Sequence, residues 1–367
     1  MASNKHLVLG LRSKNPLCPS FTFQASKCDP SLFVYSVDNN IIYVLVYVDD
    51  IIITGNNATT LQTLVSRLHS AFSLKDLGDL DYFLGIEVKN QSDGSITLTQ
   101  SKYIRDLLNR TDMEAAKPIS SPMVSGCKLS KLGSEKVFDP SLYRSVVGAL
   151  QYATITRPEI SFSVNKVCQF MSQPLEQHWI AVKRILRYLK GTISWGLHLQ
   201  PATTTSSFSI HTYCDADWAS DPDDRRSTSG ASIFLGPNLV SWWSKKQTVV
   251  ARSSTEAEYR SLALAAAEVM WIQTLLSELK VHHSTPVIFC DNMSTVALAH
   301  NPVLHARTKH MELDLFFVRE KVAAKRLQVV HVPAIDQCAD VLTKALSPSR
   351  FCELRSKLQV VESPHPT

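Results

Sequence analysis

Several things that would place this chain quickly are missing. None of its eight cysteines sits in a Cys-x-x-Cys pair, which argues against a zinc ribbon. Their scatter along a large chain reads as reduced thiols inside a cell, cytoplasmic or nuclear. No apolar run reaches the roughly 20 residues a membrane span needs. The most apolar stretch, 41–54, is broken by Asp49 and Asp50 and reads as a pair of buried strands. The first ten residues hold one short apolar run, too short for a signal-peptide core. There is no nuclear-type basic cluster. A net charge of +5 permits nucleic-acid binding without arguing for it. What remains is an ordinary globular composition over 367 residues, enough for two or three domains.

The pattern of apolar residues predicts the elements. Two β-rich runs, 33–36 and 41–48, flank a Val37-Asp-Asn-Asn turn and read as a hairpin. Leu61, Leu64, Val65, Leu68 and Phe72 form one helical stripe. Strands are expected at 82–89 and 95–99, and a helix at 102–108. Residues 116–139, rich in Pro, Ser, Lys and Gly, read as a connector, and 140–190 as mostly helical. In the last of these helices Val182, Ile185, Leu186 and Leu189 share one face, with Lys183, Arg184, Arg187 and Lys190 opposite. That basic face is either solvated or a track for phosphates. A polar stretch at 201–207 marks a boundary. Beyond it come three strands (208–214, 229–235, 239–243), a long helix (254–279), a strand (287–290), two helices (293–300, 311–323), a strand (327–332) and a helix (337–346). Three strands followed by helix–strand alternation predict a mixed sheet with helices packed on it. A short helix at 351–358 and a frayed tail are expected to follow.

Acids punctuate this last region. Asp215 and Asp217 close its first strand, Glu258 lies in the first turns of the long helix, Asp291 closes the fourth strand, and Asp340 opens the last helix. Taken singly, each reads as an ordinary strand-end or helix-start acid. Taken together, two parallel neighbours ending in Asp put carboxylates at one sheet edge, and a helix crossing that edge adds Glu258. Such acids repel unless divalent cations sit among them. Paired Mg²⁺ ions, for which Mn²⁺ can substitute, suit in-line phosphodiester displacement.

The strings that carry these acids are specific. Residues 215–230 (from Asp215-Ala-Asp-Trp to Ser-Thr-Ser-Gly), 241–247, 251–260, 305–310 and 339–344 closely resemble the ribonuclease H domain of copia-type retrotransposon polyproteins. The resemblance implies Asp215, Glu258, Asp291 and Asp340 as catalytic, metal-binding acids, with Asp217 ranked below them. His331 would sit where related nucleases keep a histidine that helps product leave; its bland reading is a strand-end histidine. Arg225, Arg226, Ser227, Lys245, Lys246, Arg307 and Lys309 are candidates, with Lys183, Arg184 and Arg187, for contacts to hybrid phosphates. Trp218, Trp242 and Trp243 read as core or sheet-face residues, and Ser253 and Ser254 as helix caps.

Further forward, residues 27–33, 45–55 with Tyr47-Val-Asp-Asp, 77–87 and 99–104 resemble the copia-type reverse transcriptase palm, and 143–152 and 156–160 the segment that joins polymerase to nuclease. The expected architecture is α/β (mixed α+β): an irregular 1–24, a truncated palm at 25–115, a helical connector at 116–205, a ribonuclease H-like mixed sheet at 206–348, and a helix and tail at 349–367. The resemblance implies cleavage of the RNA strand of RNA–DNA hybrids, with Mg²⁺ and no small-molecule cofactor or membrane. Such a polymerase needs a third acid upstream that 1–24 does not supply, so Asp49 and Asp50 are expected to be vestigial. Exposed palm strands make self-association an expectation. The rival readings are a non-catalytic nucleic-acid-binding remnant, and a reverse transcriptase completed by another chain.

Overall fold

The computed structural model describes residues 21–48, 50–72, 74–133, 135–202, 208–301 and 311–363. The chain forms two compact units, one of residues 1–83 with 270–282 and the other of 84–269 with 283–367. The division falls elsewhere than the expected boundaries, because the region taken as a connector shares a core with the mixed sheet.

In the first unit β1 (Gln24–Ala25), β2 (Leu32–Val37), β3 (Asn40–Tyr47) and β4 (Asp50–Gly55) form one antiparallel sheet in sequence order. The β2–β3 turn is the expected one. Asp38 and Asn39 both take positive φ, 47° and 63°, which matches the twist of a tight hairpin and suits these side chains. Helix α1 (Ala58–Ala71), capped by the Asn57 side chain, lays Leu64 and Leu68 on Phe33, Ile42, Val44 and Val46. A two-residue strand β5 (Tyr82–Phe83) follows. The predicted strand 82–89 is interrupted, since Leu84 and Gly85 turn at positive φ before β6 (Ile86–Asn90).

The second unit opens with β6, β7 (Ile96–Thr99) and α2 (Ser101–Arg110). Helices α3 (Pro140–Ala153), α4 (Ser161–Cys168) and α5 (Glu176–Gly191) come next, then β8 (Trp195–Leu199). The apolar face predicted for α5 is wholly buried at Val182, Ile185, Leu186 and Leu189. Arg157, at the turn before α4, is also fully buried, and its donors are met by Glu159 and Thr192.

The mixed sheet contains β9 (Ile210–Asp217), β10 (Thr228–Leu235), β11 (Asn238–Lys246), β12 (Val287–Cys290) and β13 (Gln328–His331), in the spatial order β11-β10-β9-β12-β13. The first three strands are antiparallel, and β12 runs parallel to both β9 and β13. Helices α6 (Ser254–Glu278), α7 (Met293–His300) and α8 (Glu312–Ala323) complete the predicted order. The predicted helix at 337–346 is instead two 3-10 turns, Ala334–Asp336 and Cys338–Leu342. The tail does not fray over its described part. After α9 (Pro348–Lys357), strand β14 (Val360–Glu362) pairs with β8, and the Ser363 amide donates to the Ser194 carbonyl. Leu354, Leu358 and Val360 thereby join the core that holds α5.

One glycine positions the second 3-10 turn. A Cβ on Gly230 of β10 would lie 2.7 Å from Leu342 Cβ and 2.9 Å from Thr343 Cγ2. Only a residue without a side chain lets the segment carrying Asp340 settle on the sheet. Gly230→Val is therefore expected to destabilise the second unit by about 1–3 kcal/mol through overpacking, read by denaturant unfolding.

Candidate metal centre of the mixed sheet

Strands β9 and β12 stay paired only as far as Tyr213 and Phe289. Past that point they part, and both enter the crevice with an acid, Asp215 and Asp291. The backbone freed by the parting is used to bring in the other two. The Cys214 carbonyl accepts from Gln337 Nε2 at 2.9 Å, which anchors the segment leading to Asp340. The Asp215 carbonyl accepts from Ser261 Oγ at 2.8 Å, which seats α6 on β9 one turn beyond Glu258. Gln247 donates to the Ala257 carbonyl at 2.9 Å and holds the same helix from the β11 side. The start of α6 is capped as expected, with the Glu256 amide on Ser253 Oγ.

All four expected acids converge. One oxygen each from Asp215, Asp291 and Asp340 lies within 4.8 Å of the others, and Glu258, Cys290 and Asp291 meet the same limit. Asp215 and Glu258 are buried, while Asp291 and Asp340 are partly exposed. Two like charges about 4 Å apart repel by roughly 4 kcal/mol at an effective dielectric near 20. Burial, aided by Asp215, Cys290 and Asp291, pushes Glu258 far above the usual carboxylate range. Burial also raises Asp340, to about 6, against the pull of Lys344. Asp291 is raised by burial and by Asp215.

The donors fit a hard divalent cation. They are carboxylate oxygens at a partly open edge, and the buried Oδ1 of Asp291 has no hydrogen-bond partner among the described residues. Asp217, ranked below the four, closes β9 outside both groups.

Two residues of this centre escaped the sequence reading. Lys344 Nζ stands 3.2 Å from Asp215 Oδ2 and 2.8 Å from Asp340 Oδ1, and the Thr343 hydroxyl donates to Asp215. Burial opposes the Lys344 charge, but Asp215 and Asp340 hold its ammonium above the usual lysine range. The signal was the spacing, a lysine four residues after Asp340. His331 is exposed at the end of β13, in register with Cys290.

The basic candidates separate. Lys183 is exposed and lies over the Trp179 ring, and Arg225 and Lys245 are also exposed. Arg184 and Arg187 are not a free phosphate track. Arg184 donates to Ser121 Oγ and Arg187 to the Lys117 carbonyl, so they tie down the segment before α3. Lys246 pairs with Asp221 at 2.6 Å and Asp224 at 2.9 Å, and Arg226 lies 3.8 Å from Asp224. Ser227 is buried and accepts from the Ala219 amide. Trp218 is half exposed rather than core, with its indole N–H on the Ala251 carbonyl. Arg307, Lys309 and the 305–310 string lie outside the described residues, as does Asp49. Asp50 is exposed at the start of β4 and joins no cluster of metal-ligating side chains among the described residues.

The chain thus carries a four-stranded antiparallel sheet with one packed helix, and after it a five-stranded mixed sheet with acids at its open edge. A family model described as reverse transcriptase (RNA-dependent DNA polymerase) matches residues 16–125. The chain is 49% identical over 343 residues to the retrovirus-related Pol polyprotein from transposon RE1 of Arabidopsis thaliana, covering 93% of this chain and 23% of that protein. It is 36% identical to the corresponding polyprotein from transposon TNT 1-94 of Nicotiana tabacum, over 90% of this chain and 25% of that one. An uncharacterized mitochondrial protein of Arabidopsis thaliana is 48% identical over 62% of this chain and 93% of its own length. The chain belongs to the copia-type retrotransposon Pol polyproteins. It spans about a quarter of the length of the transposon polyproteins it matches. Among solved structures it is similar to LC11-RNase H1 in complex with an RNA/DNA hybrid, at 17% identity and a TM-score of 0.29, over 37% of this chain and 94% of that one. No described helix is long and apolar enough to cross a membrane.

A pH dependence follows from the raised carboxyls. Asp340, Asp291 and Glu258 hold protons more tightly folded than unfolded, so without cations their contribution to stability is complete below the ordinary carboxylate range. For Asp340 it is lost as pH rises from that range to the folded value of about 6, and Glu258, raised much further, extends the loss above it. In a chelator, the thermal midpoint of the second unit is expected to fall between about pH 5 and about pH 7. Added Mg²⁺ should restore it, more at the upper end, as followed by calorimetry.

Proposed function

We propose that the second unit hydrolyses the RNA strand of RNA–DNA hybrids with the help of divalent cations. The observation that carries this is the convergence of Asp215, Glu258, Asp291 and Asp340 from two strands, a helix and a 3-10 turn onto one crevice. Bound there, two Mg²⁺ ions would activate a water and neutralise charge on the phosphate under attack. Asp215 and Asp291, at the ends of neighbouring strands, would hold the ions against the sheet, with Asp340 closing the open side and Glu258 the helix side. Gln337, Ser261 and Gly230 keep those carboxylates in place, so the geometry does not have to form at the moment of reaction.

The exposed Arg225 and Lys245 are proposed to meet the hybrid backbone, on the ordinary ground that phosphate contacts position a duplex without reading its sequence. An intracellular setting, where such hybrids arise, belongs to the same proposal.

The test is cleavage of an end-labelled hybrid by the full chain in Mg²⁺ or Mn²⁺, beside Asp291→Asn. Metal-dependent cuts in the RNA strand are expected, with the rate reduced by at least about a hundredfold in the variant, as for loss of an electrostatic catalytic group. Hybrid binding with a steep salt dependence but no cutting by the folded chain would instead favour a binding remnant.

A further inference from the structure

Lys344 is well placed to compete with the ions just described. Its ammonium bridges Asp215 and Asp340, two acids of the proposed metal centre, at 3.2 and 2.8 Å. Those contacts occupy carboxylate oxygens of two of the acids proposed to hold ions, and Asp340 and Lys344 are only four residues apart, so the pair can form without any other element moving. An ammonium is a single positive charge on a flexible stem, able to leave without disturbing the backbone.

A second acceptor for the ammonium, Glu159, shares these surroundings. Lys344 and Glu159 both line a narrow, water-sized pocket, together with Met123, Phe162, Val341 and Phe351. Glu159 is almost fully buried. Its Oε1 accepts from Arg157 and from the Tyr188 hydroxyl, at 2.8 and 3.0 Å. Its Oε2 is buried and has no hydrogen-bond partner among the described residues. A buried carboxylate oxygen left open is costly, and a displaced ammonium is the kind of group that would satisfy it.

We propose that Lys344 is a built-in counter-ion that holds Asp215 and Asp340 together in the cation-free protein and withdraws toward Glu159 when divalent ions enter. The proposal rests on the nuclease reading, since it takes the same carboxylates as metal ligands. It makes Lys344 a positioning residue that sets how tightly ions bind. A site kept compact and neutralised before the ions arrive is spared the repulsion that would otherwise spread it open.

The experiment measures Mn²⁺ binding by paramagnetic resonance on the full chain without nucleic acid, comparing the unaltered protein with Lys344→Met. Removing the competing charge is expected to tighten binding by on the order of tenfold and to lower the thermal midpoint of the cation-free protein. If the unaltered protein binds Mn²⁺ and the variant binds it equally or more weakly, the counter-ion role is overturned and the nuclease reading stands. If neither binds, both fall. Should Lys344→Met fail to fold, the unaltered chain supplies the readout. Its lysines are labelled by ¹³C reductive methylation and titrated with Mg²⁺, the Lys344 signal being assigned by its loss in Lys344→Arg. That signal is expected to shift and saturate with Mg²⁺; a signal indifferent to Mg²⁺ while other signals of the site respond would overturn the proposal.

Discussion

Four carboxylates meet at the open edge of a five-stranded sheet, and their mutual repulsion is the constraint around which the second unit is arranged. Strands β9 and β12 could not carry Asp215 and Asp291 this close if the surrounding structure were free to relax. It is not free. Ser261 and Gln337 bond to the two backbone carbonyls at the parting strands, and Gly230 admits the 3-10 turn against the sheet. Lys344 supplies positive charge in the middle of the cluster. Burial first, and the neighbouring carboxylates after it, still raise Glu258, Asp291 and Asp340 above the usual carboxylate range. A cluster of carboxyls raised in this way is what one expects where cations are to be taken up.

Helices α3 to α5 form the wall against which this edge is built. Helix α5 is buried along its apolar face, and the same core takes in Phe234 and Leu239 of the mixed sheet, Val341 and Leu342 of the Asp340 turn, and Phe351 to Val360 of the C-terminal segment. Arg157 sits within that wall as a wholly buried cation. Burying such a charge is tolerable because Glu159 neutralises it and Thr192 accepts two of its hydrogen bonds. Glu159 also accepts from Tyr188 and lines a narrow pocket with Lys344. The acid cluster and the helical region are thus parts of one packed body.

The first unit follows a simpler rule. Its sheet is built from hairpins in sequence order, with one helix packed on it, so nearly every contact is local in the chain. The exception is the end of the long helix. Glu278 accepts from the backbone of Lys27 and from Ser26, and the Leu279 carbonyl accepts from Tyr43. A segment some 240 residues downstream is therefore part of this unit, a contact of the kind that periodicity cannot reveal.

What the sequence determined by itself was the local order and which acids are candidates. Alternation and helical stripes located most of the strands and helices, though not β1, β8 or β14, because those periodicities are set by backbone geometry. The four acids were singled out by the long strings that carry them, which resemble those of a known domain, and by strand-end positions that place carboxylates at one sheet edge. Tertiary structure decided the rest. It broke the strand at Leu84 and Gly85 and shortened the helix around Asp340 into 3-10 turns. It made the expected tail a sheet strand, since β8 needed a partner on its outer side. It turned Arg184, Arg187 and Lys246 inward, onto Ser121, the Lys117 carbonyl and two aspartates, though all three look like surface cations in the sequence. And it placed Lys344 between Asp215 and Asp340. Where a charged side chain ends up depends on which opposite charges and acceptors the fold brings within about 4 Å, and that distance is set by packing between segments far apart in the chain.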